Sequence, residues 1–223
     1  MPEVVDVRAR ILAANEEAAA SLHASFARSR TLVLNLISSP GSGKTTLLEA
    51  TVRALASTRR IAVIEGDIAT ERDADRVRAL GVPAHQILTG GACHLDARQV
   101  VRALDEARFG ELDILFIENV GNLICPTSYD LGEDFKVALL SVAEGDDKPF
   151  KYPAIFARAE VTVVTKLDLC AHVDFDLEAV RAQIKTLRPG GDLLLTSCRT
   201  GEGLPAWVAL LEARLSAKRG AAA

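Results

Sequence analysis

Aromatic side chains are scarce: they make up 4% of the 223 residues, with one tryptophan and two tyrosines. That removes the stacking platforms on which single-stranded nucleic acids are held. Positive charge is not in excess either. Against 26 lysines and arginines stand 30 aspartates and glutamates, a net charge of −4, which excludes the basic footprint of a nucleic-acid binder. Long apolar runs are missing as well, since Leu32-Val33-Leu34-Asn35-Leu36-Ile37 falls far short of the ~20 residues a membrane span needs. The opening Met1-Pro2-Glu3 lacks the basic-then-apolar order of a secretory signal, so a cytoplasmic protein with no membrane partner is expected. Cysteine is sparse: Cys93, Cys125, Cys170 and Cys198 are scattered along the chain. In a reducing compartment such thiols are fillers, metal ligands or redox groups rather than staples.

What is present is enough apolar material for a core, 49% hydrophobic against 25% charged residues. At ~150 residues per domain, the length fits one domain with an appendage. Residues 3–28 read as an amphipathic helix, with Ala18, Leu22 and Phe26 at four-residue spacing and Val7 and Ile11 on a comparable stripe. Its plainest role is packing on the main domain; dimerisation or partner docking is the other reading. From residue 31 strands alternate with helices. Leu32–Ile37, Ile61–Ile64, Ile114–Ile117, Val161–Val164 and Leu193–Leu195 read as buried parallel strands. Between and after them run helical stripes: Leu48, Val52 and Leu55; Ala97, Val100, Val101 and Leu104; Leu177, Val180, Ile184 and Leu187; and Leu204, Trp207, Val208, Leu211 and Leu215 behind Pro205. The expected fold class is therefore α/β, a mostly parallel sheet with helices on both faces plus an N-terminal helix. The expected division is a helical extension over residues 1–30, a nucleotide-binding domain over 31–217, and a tail over 218–223, frayed at Ala221–Ala223.

Ser38-Ser39-Pro40-Gly41-Ser42-Gly43-Lys44-Thr45-Thr46 follows the first strand and opens the first helix of the domain. That setting makes it a P-loop. Gly41 and Gly43 let backbone N–H groups turn inward around Ser42 toward an anion, and the helix N-terminus favours the same charge. Lys44 would neutralise the β- and γ-phosphates, and Thr45 would ligate Mg²⁺. Ser38 stands where the strict motif has glycine. Two acids close other strands: Glu118, in Ile117-Glu118-Asn119-Val120-Gly121, and Asp67, in Glu65-Gly66-Asp67. Ligands in open α/β sheets sit beyond such carboxyl ends, so both acids face Mg²⁺ or the attacking water, against the alternative of a helix cap or a surface turn. Thr165-Lys166-Leu167-Asp168 is similar to the guanine motif Asn-Lys-x-Asp, with threonine in place of the asparagine. Asp168 would accept from guanine N1 and the 2-amino group, which adenine cannot supply. Lys166 would lie across the base, and Ser197 would help contact the base edge through backbone. The ligand is expected to be GTP.

Cys93-His94 precedes a helix, and Ile124-Cys125-Pro126 begins six residues after a strand-end acid. Thiolate and imidazole suit Zn²⁺ or Ni²⁺ far better than Mg²⁺. Spacing alone leaves open a metal site or ordinary buried cysteines. Cys170 and Cys198 read as fillers, and His23, His85 and His172 as surface or capping residues.

Together these segments resemble the HypB family, GTPases that help insert nickel into [NiFe]-hydrogenase. The most specific stretches are Glu65–Thr70, Thr89–Leu95, Ile117–Pro126, Tyr129–Lys136 and Glu144–Pro149. The resemblance implies a P-loop GTPase of the SIMIBI class with Cys93, His94 and Cys125 as its nickel or zinc site. It also implies a nucleotide-promoted homodimer in which Lys148 reaches the partner's nucleotide. Partners implied are a nickel-delivery accessory protein and the hydrogenase large-subunit precursor. The N-terminal Cys-rich or His-rich nickel motif of many members is not found in residues 1–30. The expected activity is slow hydrolysis of GTP, with Lys44, Asp67 and Glu118 as the catalytic set and no arginine finger in cis. A urease-type nickel GTPase would carry Cys-Pro-His, where this chain has Cys125-Pro126-Thr127. Two further alternatives are a structural zinc protein with a vestigial nucleotide site and a small-molecule kinase.

Overall fold

The computed structural model describes residues 7–68 and 71–220, with side chains from residue 12 onward. Seven strands form one sheet: β1 (Leu32–Ser38), β2 (Ile61–Asp67), β3 (Ala84–Leu88), β4 (Ile114–Glu118), β5 (Phe135–Ser141), β6 (Val161–Thr165) and β7 (Asp192–Leu195). Their order is β3-β2-β4-β1-β5-β6-β7, and every neighbouring pair is parallel. All seven residues of β1 are buried, as expected of a strand covered on both faces. Parallel pairing demands crossovers, which α2 (Lys44–Leu55), α3 (Arg72–Arg78), α4 (Ala97–Ala107) and α7 (Leu177–Leu187) supply among others. The chain leaves β1 toward β2 and β3, returns to β4, then continues past β1 to β5. The carboxyl ends around β1 therefore form the crevice where ligands bind in such sheets.

One face packs Leu34, Leu36, Phe116 and Val137 against α2 and α8 (Leu204–Gly220). Trp207 of α8 is fully buried there and donates its indole N–H to Thr51 Oγ1 at 2.8 Å. The other face carries α4 and α1 (Val7–Ser29) at one end, and α6 (Pro153–Arg158) with α7 at the other.

Several elements differ from the sequence reading. β3 and β5 were not anticipated. β3 is a half-exposed edge strand with His85 and Gln86 in its middle, and β5 places its apolar run, Val137–Leu140, behind the charged Lys136. In α1 the buried stripe is Asn15, Ala19, Leu22 and Phe26, with Ala18 only half-buried; a polar residue completes the face. The side chains of Val7 and Ile11, residues 3–6, and Ala69 and Thr70 of the family-like string lie outside the described residues. α8 runs on to Gly220, three residues past the expected domain boundary, and there Lys218 pairs with Asp134 and Arg219 with Asp113. Ala221–Ala223 lie outside the described residues. None of the helices among the described residues is long and apolar enough to cross a membrane.

Candidate functional site

The loop between β1 and α2 turns through Gly41 and Gly43, at φ 79° and 94°. Those left-handed values are strained for any residue with a Cβ, so the two glycines set the loop's shape. Lys44 opens α2 and is buried, donating from Nζ to Ser38 Oγ at 2.9 Å. The serine that departs from the strict motif thus parks the lysine. Thr45 Oγ1 donates to Glu118 Oε1 at 3.0 Å, and Ser42 Oγ lies 2.7 Å from Glu144 Oε2. A cavity of about 510 Å³ opens above the loop, lined among others by Lys44, Thr45, Thr46, Asp67 and Lys166. At its rim Arg76 donates to Glu49 and Asp73 and reaches Thr46 Oγ1 at 3.4 Å. This arginine beside the phosphate loop was not anticipated.

Glu65 was also missed. It lies two residues before Asp67, on the same face of β2, and its Cα is in register with Glu118 of β4. Both glutamates are buried and can share one proton between them; as carboxylates, Glu65 Oε1 and Glu118 Oε2 have no donor. Burial and then the charge of Glu118 hold the Glu65 carboxyl well above its ordinary value. Burial pushes Glu118 up to about 6, although Lys44 pulls it down. Two orphaned carboxylate oxygens beside a lysine and a threonine hydroxyl fit a hard divalent cation with oxygen ligands.

Toward β6 and β7, Thr165 Oγ1 donates to the Ser42 carbonyl at 2.6 Å. Lys166, at φ 57°, donates to the Gly41 carbonyl at 2.7 Å, so its stem borders the phosphate loop. Asp168 Oδ1 accepts from Ser197 Oγ at 2.5 Å. The backbone N–H of Ser197 already donates to the Glu202 carbonyl at 2.9 Å. Ser197 therefore orients Asp168 through its hydroxyl, and its own N–H is not spare for a base edge.

On the β3 side of the same edge, Cys93, His94 and Cys125 each offer a ligand atom, all within 4.8 Å of one another. Cys93 Sγ is 3.6 Å from His94 Nδ1. The neighbouring Cys125 thiol raises the Cys93 pKa, and burial lowers that of His94, keeping its imidazole neutral. Tyr129 stacks on His94 with ring centroids 3.9 Å apart. Two thiols and a neutral imidazole are the donor set of zinc or nickel. Cys170 and Cys198 pack as partly buried members of apolar clusters. His23 and His85 pair on the surface with Asp130 and Glu106.

The two centres share one segment. Glu118 ends β4 beside Thr45. The next residue, Asn119, accepts from the Leu95 N–H at 3.2 Å, and Asn122 donates to the Cys93 carbonyl at 3.3 Å. Cys125 follows three residues after Asn122. Gly121 presses on the phosphate loop, where an added Cβ would stand 2.9 Å from Pro40 Cγ.

Residues 32–194 match the CobW/HypB/UreG nucleotide-binding domain. The chain is 48% identical to hydrogenase maturation factor HypB of Azotobacter chroococcum, over 96% of its own length and 70% of that relative. Among solved structures, HypB from Archaeoglobus fulgidus superposes with a TM-score of 0.86 at 38% identity, covering 92% of this chain and 100% of that one. HypB from Helicobacter pylori, in complex with nickel, superposes with a TM-score of 0.85 at 41% identity, covering 92% and 95%. By sequence and by fold, the chain belongs to the HypB family of hydrogenase maturation factors.

Proposed function

We propose that the chain is a GTP-hydrolysing metallochaperone that carries nickel, or zinc, for insertion into [NiFe]-hydrogenase. The observation that carries this reading is the segment 118–125. It begins with an acid that holds the Thr45 hydroxyl, continues through two asparagines that hold the Cys93–Leu95 loop, and ends at Cys125. Anything that moves Glu118 or the phosphate loop moves metal-ligand geometry.

Lys44 leaves Ser38 to meet the β- and γ-phosphates, and the N–H groups around Gly41, Ser42 and Gly43 cradle them with Thr46 at the helix start. Mg²⁺ held by Thr45, Glu118 and Asp67, with Glu65 facing it, would neutralise the phosphate charge. Asp67 would orient the attacking water. Asp168, aligned by Ser197, accepts from guanine N1 and its 2-amino group, while Lys166 covers the base. Arg76 is tied to Glu49 and Asp73, so hydrolysis by the isolated chain is slow.

Nickel is the cargo, bound by Cys93 and Cys125 thiolates and the His94 imidazole. Three ligands leave the shell open, which suits an ion that must be handed on. A ligand shifts a conformational equilibrium only by its differential affinity for the two states, so the GTP and GDP forms must hold nickel differently. Ile68, Leu88 and Ile124 are 51%, 53% and 65% exposed, Ile68 and Leu88 at the strand ends and Ile124 beside Cys125, a surface suited to a nucleotide-promoted homodimer. Lys148, whose Nζ lies 5.5 Å from the Tyr152 ring centroid, would reach the partner's nucleotide. The other proposed partners are a nickel-delivery accessory protein and the hydrogenase large-subunit precursor, in the cytoplasm.

The test is phosphate release from GTP and Mg²⁺ with no other acceptor present, beside the same assay with ATP. Release from GTP alone is expected. Release only after a small-molecule acceptor is added, or equal rates with ATP, would contradict the reading.

A further inference from the structure

The N-terminal helix meets the two segments that flank the metal-ligand loops through a side chain that breaks its apolar face. Asn15 occupies the position in α1 where an aliphatic residue would continue the stripe of Ala19, Leu22 and Phe26, and it is buried, 3% exposed. Its amide works in two directions. Oδ1 accepts from the Ala97 N–H at 2.8 Å, and Nδ2 donates to the Asp130 carbonyl at 2.9 Å. Ala97 is the first residue of α4, just after the Cys93–His94 loop, and its N–H has no partner within the helix. Asp130 follows Tyr129, the residue stacked on His94, and lies just beyond the short helix Cys125–Ser128. A single amide therefore ties the loop bearing Cys93 and His94 to the loop bearing Cys125.

A second contact reinforces one arm. His23, two turns further along α1, meets the Asp130 carboxylate at 2.9 Å. Leu22 and Phe26 pack in one apolar cluster with Leu95, Ala97 and Leu131, so the helix holds both loops by packing as well. The asparagine amide carries donor and acceptor on one short planar head, so it can serve both segments at once.

We infer that α1 is a clamp on the metal centre, with Asn15 as a positioning residue that fixes the spacing of the Cys93–His94 and Cys125 loops. The inference rests on the metal-site reading above. Groups that orient metal ligands without touching the ion commonly change affinity by ~10–100-fold when removed.

Asn15→Asp separates the arms. A carboxylate still accepts from Ala97, at a helix N-terminus that favours negative charge, but it cannot donate to the Asp130 carbonyl. His23→Ala loosens the same turn from the surface, where folding is not at stake. The full chain of each variant is titrated with Ni²⁺, following the thiolate-to-nickel charge-transfer absorption, beside wild type and Cys125→Ala. Asn15→Asp is expected to weaken nickel binding ~10-fold or more and to shift the absorption band, with His23→Ala weakening it by a few-fold. Wild-type affinity and spectrum in both variants would overturn the clamp, and His23→Ala alone decides if Asn15→Asp does not fold. Unchanged affinity in Cys125→Ala would instead remove the metal site itself.

Discussion

Asp113 and Glu118 stand at opposite ends of β4, and their surroundings are opposite too. Asp113, at the amino edge, accepts from the Arg60 backbone N–H and guanidinium and from Arg219. The same edge repeats the arrangement. Asp134 accepts from Val33 N and Lys218, Glu160 from Lys136 N and Arg188, and Asp192 from Arg214. Each acid there satisfies a strand end or a helix from the flanking layer. At the carboxyl edge, Glu118 and Glu65 face each other and, as carboxylates, have one oxygen apiece without a donor. The acids of one edge close the fold, and those of the other lie buried beside the phosphate loop with no such partners. Stability and function are thus separated along the strand axis, which makes the difference testable from either end.

The largest effect should come from the functional edge. Lys44→Ala removes the charge that meets the phosphates and should lower GTP turnover by at least ~100-fold, read as phosphate release; retained turnover would contradict the phosphate-loop assignment. Next, Cys125→Ala should weaken nickel binding by well over ~10-fold while leaving nucleotide affinity intact, measured by titration of each ligand. A variant that lost both would show that the two centres do not separate.

At the amino edge the expected change is in stability. Asp113→Ala strands the Arg60 and Arg219 donors and should cost roughly 1–3 kcal/mol in denaturant unfolding, with phosphate release unchanged well below the melting temperature. Lost turnover in a folded variant would mean that the edges are coupled. The smallest effect has the opposite sign. Glu65→Gln removes a buried carboxylate from beside Glu118, and the ligand-free protein should become more stable at pH 7 by about 1 kcal/mol, while its Mg²⁺ requirement rises.

The edges should also answer pH in opposite directions. Burial alone would raise the Asp113 carboxyl, but Arg60 and Arg219 hold it well below its ordinary 3.8. Its contribution is therefore present above that value and fades as pH falls below it. Glu118 is pushed up from 4.5 to about 6. The folded, ligand-free state binds the extra proton, so stability falls as pH rises from 4.5 through about 6. Urea unfolding across pH 3–7, for wild type and the two variants, separates the two limbs.

Much of this was legible in the sequence. A strand running into Gly41-Ser42-Gly43-Lys44-Thr45 announces its geometry, because few other residue orders satisfy positive φ and phosphate charge together. Cys93-His94 and Cys125 announced only their chemistry; that their ligand atoms converge depends on β3 lying at the edge next to β2, and β3 carries too little pattern to be seen. Glu65 was hidden by its neighbour, since which strand-end acid faces its counterpart depends on register between β2 and β4. Nothing in the sequence singles out Asn15. Its meaning lies entirely in two backbone groups that are distant in sequence, at Ala97 and Asp130. Periodicity carries the burial of a helix face, whereas a buried amide takes its role from what it bridges.

Coupling through segment 118–125 requires that the phosphate site and the metal site share one equilibrium. Nickel titrated into the full chain under a saturating non-hydrolysable GTP analogue, and again under GDP, measures this directly. Different dissociation constants in the two nucleotide forms, with the difference reduced in Asn119→Ala, are what the shared segment predicts. The same constant in both forms would contradict it.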